Sequence, residues 1–337
     1  MQAVFVRRAL AVAALCAVVA TPASAFTGVF VFGDSLSDSG NNSLALTGGM
    51  NGVPQTVLGD TYVPSLPYAP SGTYSNGPVW VNSFAAQLGV PMSAMPSLSH
   101  MGTNFAFGGA QTTVDGPIAG FPYSLNSQIG MALGAFGGEL PGSALYVVAG
   151  GGNNARAALE ALGAGASFAQ IVAGVSQVSA AFAIDVGNMV DTLQAAGAQN
   201  IVVWNAPNLG AAPAVRAQGA GAVNLATLMT SSMNSALDYR LSTETGVTTF
   251  DLFGLVSMIA ANPAAYGLDN ATNACGAVSN NCDPATALFW DGIHPTAAGH
   301  QILANAMVAA VVPEPGVVWL MMAGLVGVGA VVRRRSA

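Results

Sequence analysis

Four short runs constrain this chain more than anything else in it: Gly28 to Phe32, Ala144 to Ala149, Asn200 to Asn205 and Val247 to Leu252. Each is apolar almost continuously, as a parallel strand covered on both faces must be. Between them the period changes. Ile171, Val175, Val178, Phe182, Val186, Met189 and Leu193 step by three or four and draw one apolar stripe along a long helix ending near Gly197. Pro295 to Val312 reads as a last helix, with Thr296 near its start and Pro313 as its stop. Strands alternating with helices predict an α/β protein, a three-layer α/β/α sandwich with a mainly parallel central sheet. In such folds ligands bind beyond the carboxyl ends of the strands.

The first run delivers chemistry to such an end. In "VFVFGDSLSDSGNN" (29–42) an apolar strand breaks within one step into Gly33, Asp34 and Ser35. Two readings fit: Ser35 is a nucleophile on a strand-to-helix turn, or the Gly, Asp and Ser only satisfy turn backbone. A serine hydroxyl needs a base, usually His, and the chain has three: His100, His294 and His300. Only His294 has an acid within four residues, Asp291, and at that spacing a carboxylate can face the imidazole and fix its tautomer. His300 lies inside the last helix and reads as a packed residue; His100 sits in a loop.

The ends of the chain speak of export. Residues 1–25 place Arg7 and Arg8 before an apolar run from Ala9 to Ala20 and a closing Ala23-Ser24-Ala25, the order of a secretory signal peptide cleaved after Ala25. Residues 313–337 follow Pro313-Glu314-Pro315 with an apolar run from Gly316 to Val332 and then Arg333, Arg334 and Arg335. About 17 apolar residues is the lower limit for a spanning helix, with the basic cluster held on the cytoplasmic side. This tail resembles the PEP-CTERM sorting signal. The resemblance implies an exosortase-type processing partner, transient inner-membrane anchoring, and delivery to the cell surface or the medium.

Without these ends, residues 26–312 keep three basic residues, Arg156, Arg216 and Arg240, against fourteen acids, a formal net charge of −11. So acidic a surface repels polyphosphate, which argues against a nucleic-acid partner. Cys275 and Cys282, across the short loop GAVSNN, are expected to form a disulfide in an oxidising compartment. Without a neighbouring His they make a poor zinc site, and neither a metal nor a cofactor is expected.

Four blocks, in order, resemble the GDSL family, also called SGNH hydrolases. "FGDSLSDSGNN" resembles the first, "GTNFAFGGAQT" (102–112) the second, "YVVAGGGNN" (146–154) the third and "DGIHPT" (291–296) the last; "GTYSNGPVWVNSFAAQLG" and "VVWNAPNLGAAP" resemble its lipase-like branch. The resemblance spans nearly all of residues 26–312 and implies the flavodoxin-like SGNH sandwich. It further implies a catalytic triad of Ser35, His294 and Asp291, with oxyanion donors from the Ser35 N–H, Gly109 and the Asn153 amide. One departure stands out. The third block usually ends in Asp, and here that position is Asn154. The Gly- and Pro-rich segment from Thr47 to Thr73 is expected to overhang the site.

The function expected from these residues is an exported serine esterase or lipase cleaving lipid-like or short-chain carboxylic esters through an acyl-enzyme. A second reading is an O-acetyl esterase of exopolysaccharide, with Tyr74, Trp80 or Trp290 available for sugar stacking. A third, from a different class, is a non-catalytic surface or matrix protein on a hydrolase scaffold.

Overall fold

The four apolar runs become four strands, β1 (Val29–Gly33), β2 (Leu145–Ala149), β3 (Asn200–Trp204) and β4 (Val247–Phe250), in a computed structural model that describes residues 26–312. The expected signal peptide (1–25) and sorting segment (313–337) lie outside the described residues. All pairs are parallel and the spatial order is β1-β2-β3-β4, with Val31 opposite Val147, Val147 opposite Val202 and Val202 opposite Thr248. Residues 103–107 line the other side of β1. There Val31 N–H donates to Thr103 O, and the N–H groups of Phe105 and Phe107 donate to Val31 O and Gly33 O.

Continuous apolarity has the predicted meaning in β1 and β2, which are buried at every residue. β4 departs from it: Thr248 and Thr249 are exposed, because the strand is outermost and has a neighbour on one side only.

Helices cover both faces. In chain order they are α1 (Asn41–Thr47), α2 (Trp80–Gln87), α3 (Leu125–Ala135), α4 (Gly152–Leu162), α5 (Phe168–Ala195), α6 (Pro213–Arg216), α7 (Ala220–Leu241), α8 (Leu252–Ala261) and α9 (Ala297–Val311). Successive strand residues point to opposite faces, so each strand feeds two cores. Val29, Val31, Val147 and Trp204 pack with Trp80 and Phe84 of α2, Ile259 of α8 and Leu303 and Met307 of α9. Phe30, Phe32, Tyr146 and Val203 pack with Leu125 and Ile129 of α3, Phe182 and Met189 of α5 and Met233 of α7. This is the three-layer sandwich that the alternation predicts.

The long helix α5 starts on a capping box of Ser167 and Gln170 and ends at Ala195, just before Gly197 at φ 103°. By length and composition it could cross a membrane, yet its Val175, Phe182, Val186, Met189 and Leu193 stripe lies in the core. The last helix begins at Ala297 rather than Pro295, because the Thr296 hydroxyl accepts the Gly299 N–H at 3.0 Å and so marks the cap.

A third, smaller cluster joins the irregular parts of the chain. Val57 and Tyr68 from the long early loop pack with Ala274 and Ala277 of the cysteine segment, against Tyr62 and Trp290. Cys275 and Cys282 are bonded across it, with Cα atoms 5.5 Å apart. The Asp60 carboxylate accepts the Ala274 N–H and an Asn280 amide hydrogen at 2.8 and 2.7 Å.

Candidate active site

Ser35 sits just beyond the carboxyl end of β1. Gln128 of α3, fully buried, grips that end: Gly33 N–H donates to its Oε1 at 2.8 Å, and its Nε2 donates to Gly33 O and Tyr123 O, both at 2.9 Å. A Cβ on residue 33 would lie 2.8 Å from Ala149 O, so glycine is required where β1 touches β2. Asp34, buried, accepts the Leu36 N–H at 3.0 Å and tightens the turn. Burial pushes its carboxyl up to about 6, against the opposing pull of the Leu36 N–H and of positive charge at His294 and Arg156.

Asp38 ties the first block to the second. Its Oδ1 accepts the N–H groups of Gly40 and Asn41 and its Oδ2 those of Asn42 and Gly108, all at 2.7–3.1 Å. Burial raises it to about 6 as well, with those four donors pulling down. Asn41 and Asn104 complete the seam: Asn41 Nδ2 donates to Asn104 O and Ala106 O, and Asn104 Nδ2 donates to Ser37 O.

From the other end of the chain comes the turn before α9. His294 Nε2 lies 2.8 Å from Ser35 Oγ, and His294 Nδ1 lies 2.8 Å from Asp291 Oδ2. Asp291 Oδ1 also accepts the N–H groups of Ile293 and His294 at 2.9 and 2.8 Å, which sets the carboxylate against the imidazole edge. With Nδ1–H donated to Asp291, Nε2 is left as the acceptor for the serine proton. All three side chains are buried.

The long loop contributes a partner that sequence reasoning did not name. Tyr68 Oη donates to Asp291 Oδ2 at 2.9 Å, and burial beside that carboxylate raises the phenol well above its ordinary range. The same loop overhangs the site as expected, with Val63, Pro64 and Ser65 lining a cavity of about 210 Å³ that Ser35 and His294 also line.

Gly109 and Asn153 line that cavity too. Asn153 stands on the first turn of α4, and one hydrogen of its amide goes to Ala110 O at 2.9 Å, which leaves the second. Of the two adjacent glycines, Gly108 has its N–H committed to Asp38. The N–H groups of Gly109 and Ser35 meet no acceptor among the described residues. Gly109 adopts φ 85°, a conformation that turns its backbone without steric cost. The departure at Asn154 is absorbed locally: its Nδ2 donates to Thr112 Oγ1 at 2.8 Å and its Oδ1 accepts the Thr112 N–H at 3.2 Å.

The remaining candidates separate cleanly. His300 is 1% exposed in α9, and burial together with charge at His294 pushes it down to about 3, so it stays neutral. His100 is exposed at a turn. Trp80 is wholly buried, its Nε1 donating to Ser37 Oγ; Trp290 packs edge-on against Tyr68; Tyr74 borders the cavity beside His294 with ring centres 5.3 Å apart. Among the described residues no three His, Cys, Asp or Glu side chains group to hold a metal ion.

A parallel α/β sandwich carrying a serine–histidine–aspartate chain of hydrogen bonds at a strand end defines a class, and comparison with known proteins gives it a family. The model of the GDSL-like lipase/acylhydrolase family matches residues 29–307. The chain therefore belongs to that family and is, by class, a hydrolase acting on ester bonds. It is 28% identical to an uncharacterized Pseudomonas putida protein of the trpE-trpG intergenic region, over 84% of this chain but 48% of that one, so it spans about half the length of that relative. It is 24% identical to a GDSL esterase/lipase of Arabidopsis thaliana over 84% of this chain and 88% of the relative. Among solved structures, LAE5, an alpha/beta hydrolase enzyme from the metagenome of Lake Arreo, Spain, is similar at 15% identity and a TM-score of 0.42, covering 84% of this chain and 94% of that one. That likeness is too distant to bear on the site.

Proposed function

We propose that the protein is an exported serine esterase that cleaves carboxylic esters through Ser35, His294 and Asp291. The observation that carries the reading is the unbroken relay of 2.8 Å contacts, Ser35 Oγ to His294 Nε2 and His294 Nδ1 to Asp291 Oδ2, opening into a cavity. Ser35 Oγ attacks the ester carbonyl while His294 Nε2 takes its proton, and Asp291 stabilises the imidazolium. The carbonyl oxygen, now negative, is met by the N–H groups of Ser35 and Gly109 and by the free amide hydrogen of Asn153. Each such donor is worth ~3 kcal/mol of barrier. His294 returns the proton to the leaving alcohol, and a water activated the same way releases the acid from Ser35.

The cavity, at about 210 Å³, is below the ~300–1,000 Å³ typical of sites for drug-sized ligands, which favours short acyl groups over long chains. Leu46, Phe121, Pro122 and Ile293 offer the acyl group apolar contact, and Arg156 is the cation at the rim. The terminal segments support export and exosortase-type processing at the surface, which mass spectrometry of the mature termini tests.

Fluorophosphonate labelling, with the adduct mapped by mass spectrometry, tests the mechanism. A stoichiometric adduct on Ser35 that is absent in His294→Ala is the expected result. A folded chain with no adduct moves the protein to the non-catalytic scaffold reading. A 4-nitrophenyl ester series from acetate upward should then peak at short chains, whereas preference for acetylated glycan over every simple ester assigns the O-acetyl esterase instead.

A further inference from the structure

We infer that Asp185 is a positioning residue for the oxyanion side of the site, acting through Thr112, and that its carboxylate dictates the amide at position 154. The inference rests on the serine-esterase reading above.

It starts from one hydroxyl. Thr112 is fully buried, and its Oγ1 can donate one hydrogen and accept at its lone pairs. Asp185 Oδ2, on α5, lies 2.5 Å away, the short separation of a hydroxyl donating to a carboxylate. That hydrogen is thereby committed. On its other side Oγ1 meets Asn154 Nδ2 at 2.8 Å and must accept from it. The orientation of the Asn154 amide is itself decided, because its Oδ1 faces the Thr112 backbone N–H at 3.2 Å, and an N–H can only donate. The direction of donation therefore runs from Asn154 through Thr112 to Asp185 and cannot reverse.

What this chain of bonds holds is the part of the site that has to meet negative charge. Asn154 follows Asn153 on the first turn of α4, and Thr112 lies two residues beyond Ala110, whose carbonyl takes one Asn153 amide hydrogen. Gln111 O and Thr112 O accept the first N–H groups of α3, from Leu125 and Asn126 at 3.0 Å each. Residues 110–112, directly after Gly109, are thus pinned between α3, α4 and α5, and Asp185 is the anchor that α5 supplies. Thr113 Oγ1 donates to the same Asp185 Oδ2 at 3.1 Å from the solvent side.

A carboxylate at position 154 would stand as a second acceptor against a hydroxyl whose one hydrogen is already taken. Exchanging the two side chains restores the pattern, since the carboxylate at position 154 would then accept from Thr112 and an amide at position 185 would donate to it. The coupling is therefore reciprocal and readable by a double-mutant cycle.

The test uses the full chain, 4-nitrophenyl acetate as probe, and four variants: Asn154→Asp, Asp185→Ala, Asp185→Asn and Asn154→Asp with Asp185→Asn. Asn154→Asp and Asp185→Ala should each lower kcat about tenfold with KM unchanged, since oxyanion donors act on the transition state. Asp185→Asn alone, whose amide oxygen still accepts from Thr112, should cost about two- to threefold, and added to Asn154→Asp it should recover kcat to within about threefold of the parent. Should Asn154→Asp fold poorly, the same recovery is read in Tm. Losses that simply multiply, or an Asn154→Asp variant with the parent's kcat and Tm, overturn the inference. A parent chain that takes no fluorophosphonate on Ser35 overturns instead the reading on which it rests, and is seen before any variant is made.

Discussion

Ser35 and His294 meet at 2.8 Å, yet the two sides of that contact are held by different means. Ser35 rides on β1, a strand buried at every residue, gripped by Gln128 and paired on one edge to β2. His294 and Asp291 ride on an irregular turn. There the support is a set of side-chain and loop contacts: Tyr68 on Asp291, Trp290 against Tyr68, Asp60 on the cysteine segment, and the Thr296 cap. The Ser35 side is therefore held by the central sheet itself, and the His294 side by an irregular segment that joins the core through Leu288 and Phe289 and closes on itself where Trp290 N–H donates to His294 O at 2.8 Å. Changes on the first side should be felt in stability, and changes on the second in turnover.

The sharpest way to break that contrast is Asp291→Asn. An amide NH₂ facing His294 Nδ1 selects the wrong imidazole tautomer, so kcat should fall by about 10⁴ while unfolding by heat or urea changes little by comparison. A collapse in Tm on the same scale as the loss of activity would erase the distinction. Gln128→Leu probes the opposite side. Removal of its carboxamide leaves the buried Gly33 N–H without a partner at the end of β1, and urea unfolding should show a loss of about 3 kcal/mol.

Acid–base linkage sharpens the nucleophile side further. Asp34 is raised from 3.8 to about 6, so the folded protein binds that proton more tightly than the unfolded chain. Its contribution to stability is present in full below about pH 4 and is lost as pH rises through about 6, a change of roughly 3 kcal/mol. Asp34→Asn should flatten the fall in stability between about pH 4 and 7 by that order, with Asp38 left to supply a slope of the same sign. An unchanged slope would remove Asp34 from the account. A smaller effect than these is expected of Tyr68→Phe, which takes one donor from Asp291 and should lower kcat about tenfold, about 1.4 kcal/mol, with KM and Tm close to the parent.

How far the site was legible follows from where its parts lie in the chain. Asp291 and His294 stand out by their spacing and Ser35 by its place at a strand end, Asn153 only by the resemblance of its block, and the structure brings all four together, Ser35, His294 and Asn153 on the cavity wall and Asp291 behind His294. Gly108 and Gly109 are adjacent and alike in sequence, and hydrogen bonding separates them: Asp38 takes the Gly108 N–H. Asp38 lay in plain view within the first block without a role, since nothing local says that a carboxylate will collect a donor from residue 108. Gln128, Tyr68 and Asp185 had no local signal at all. They reach their partners across 95, 223 and 73 residues of chain.

By itself the sequence determined the strand runs, their alternation with helices and so the three-layer class, because apolar periodicity is a local property that any parallel sheet must satisfy. It also singled out the serine, histidine and aspartate on which the proposed chemistry rests, because few residue types can supply a nucleophile, a base and an orienting acid. Only the tertiary structure decided which strand is exposed at the edge, which glycine offers a free N–H, and which way the hydrogen bonds run from Asn154 to Asp185. Each of those depends on the one partner that folding brings within about 3 Å, and hydrogen bonds of that length are set by position rather than by composition.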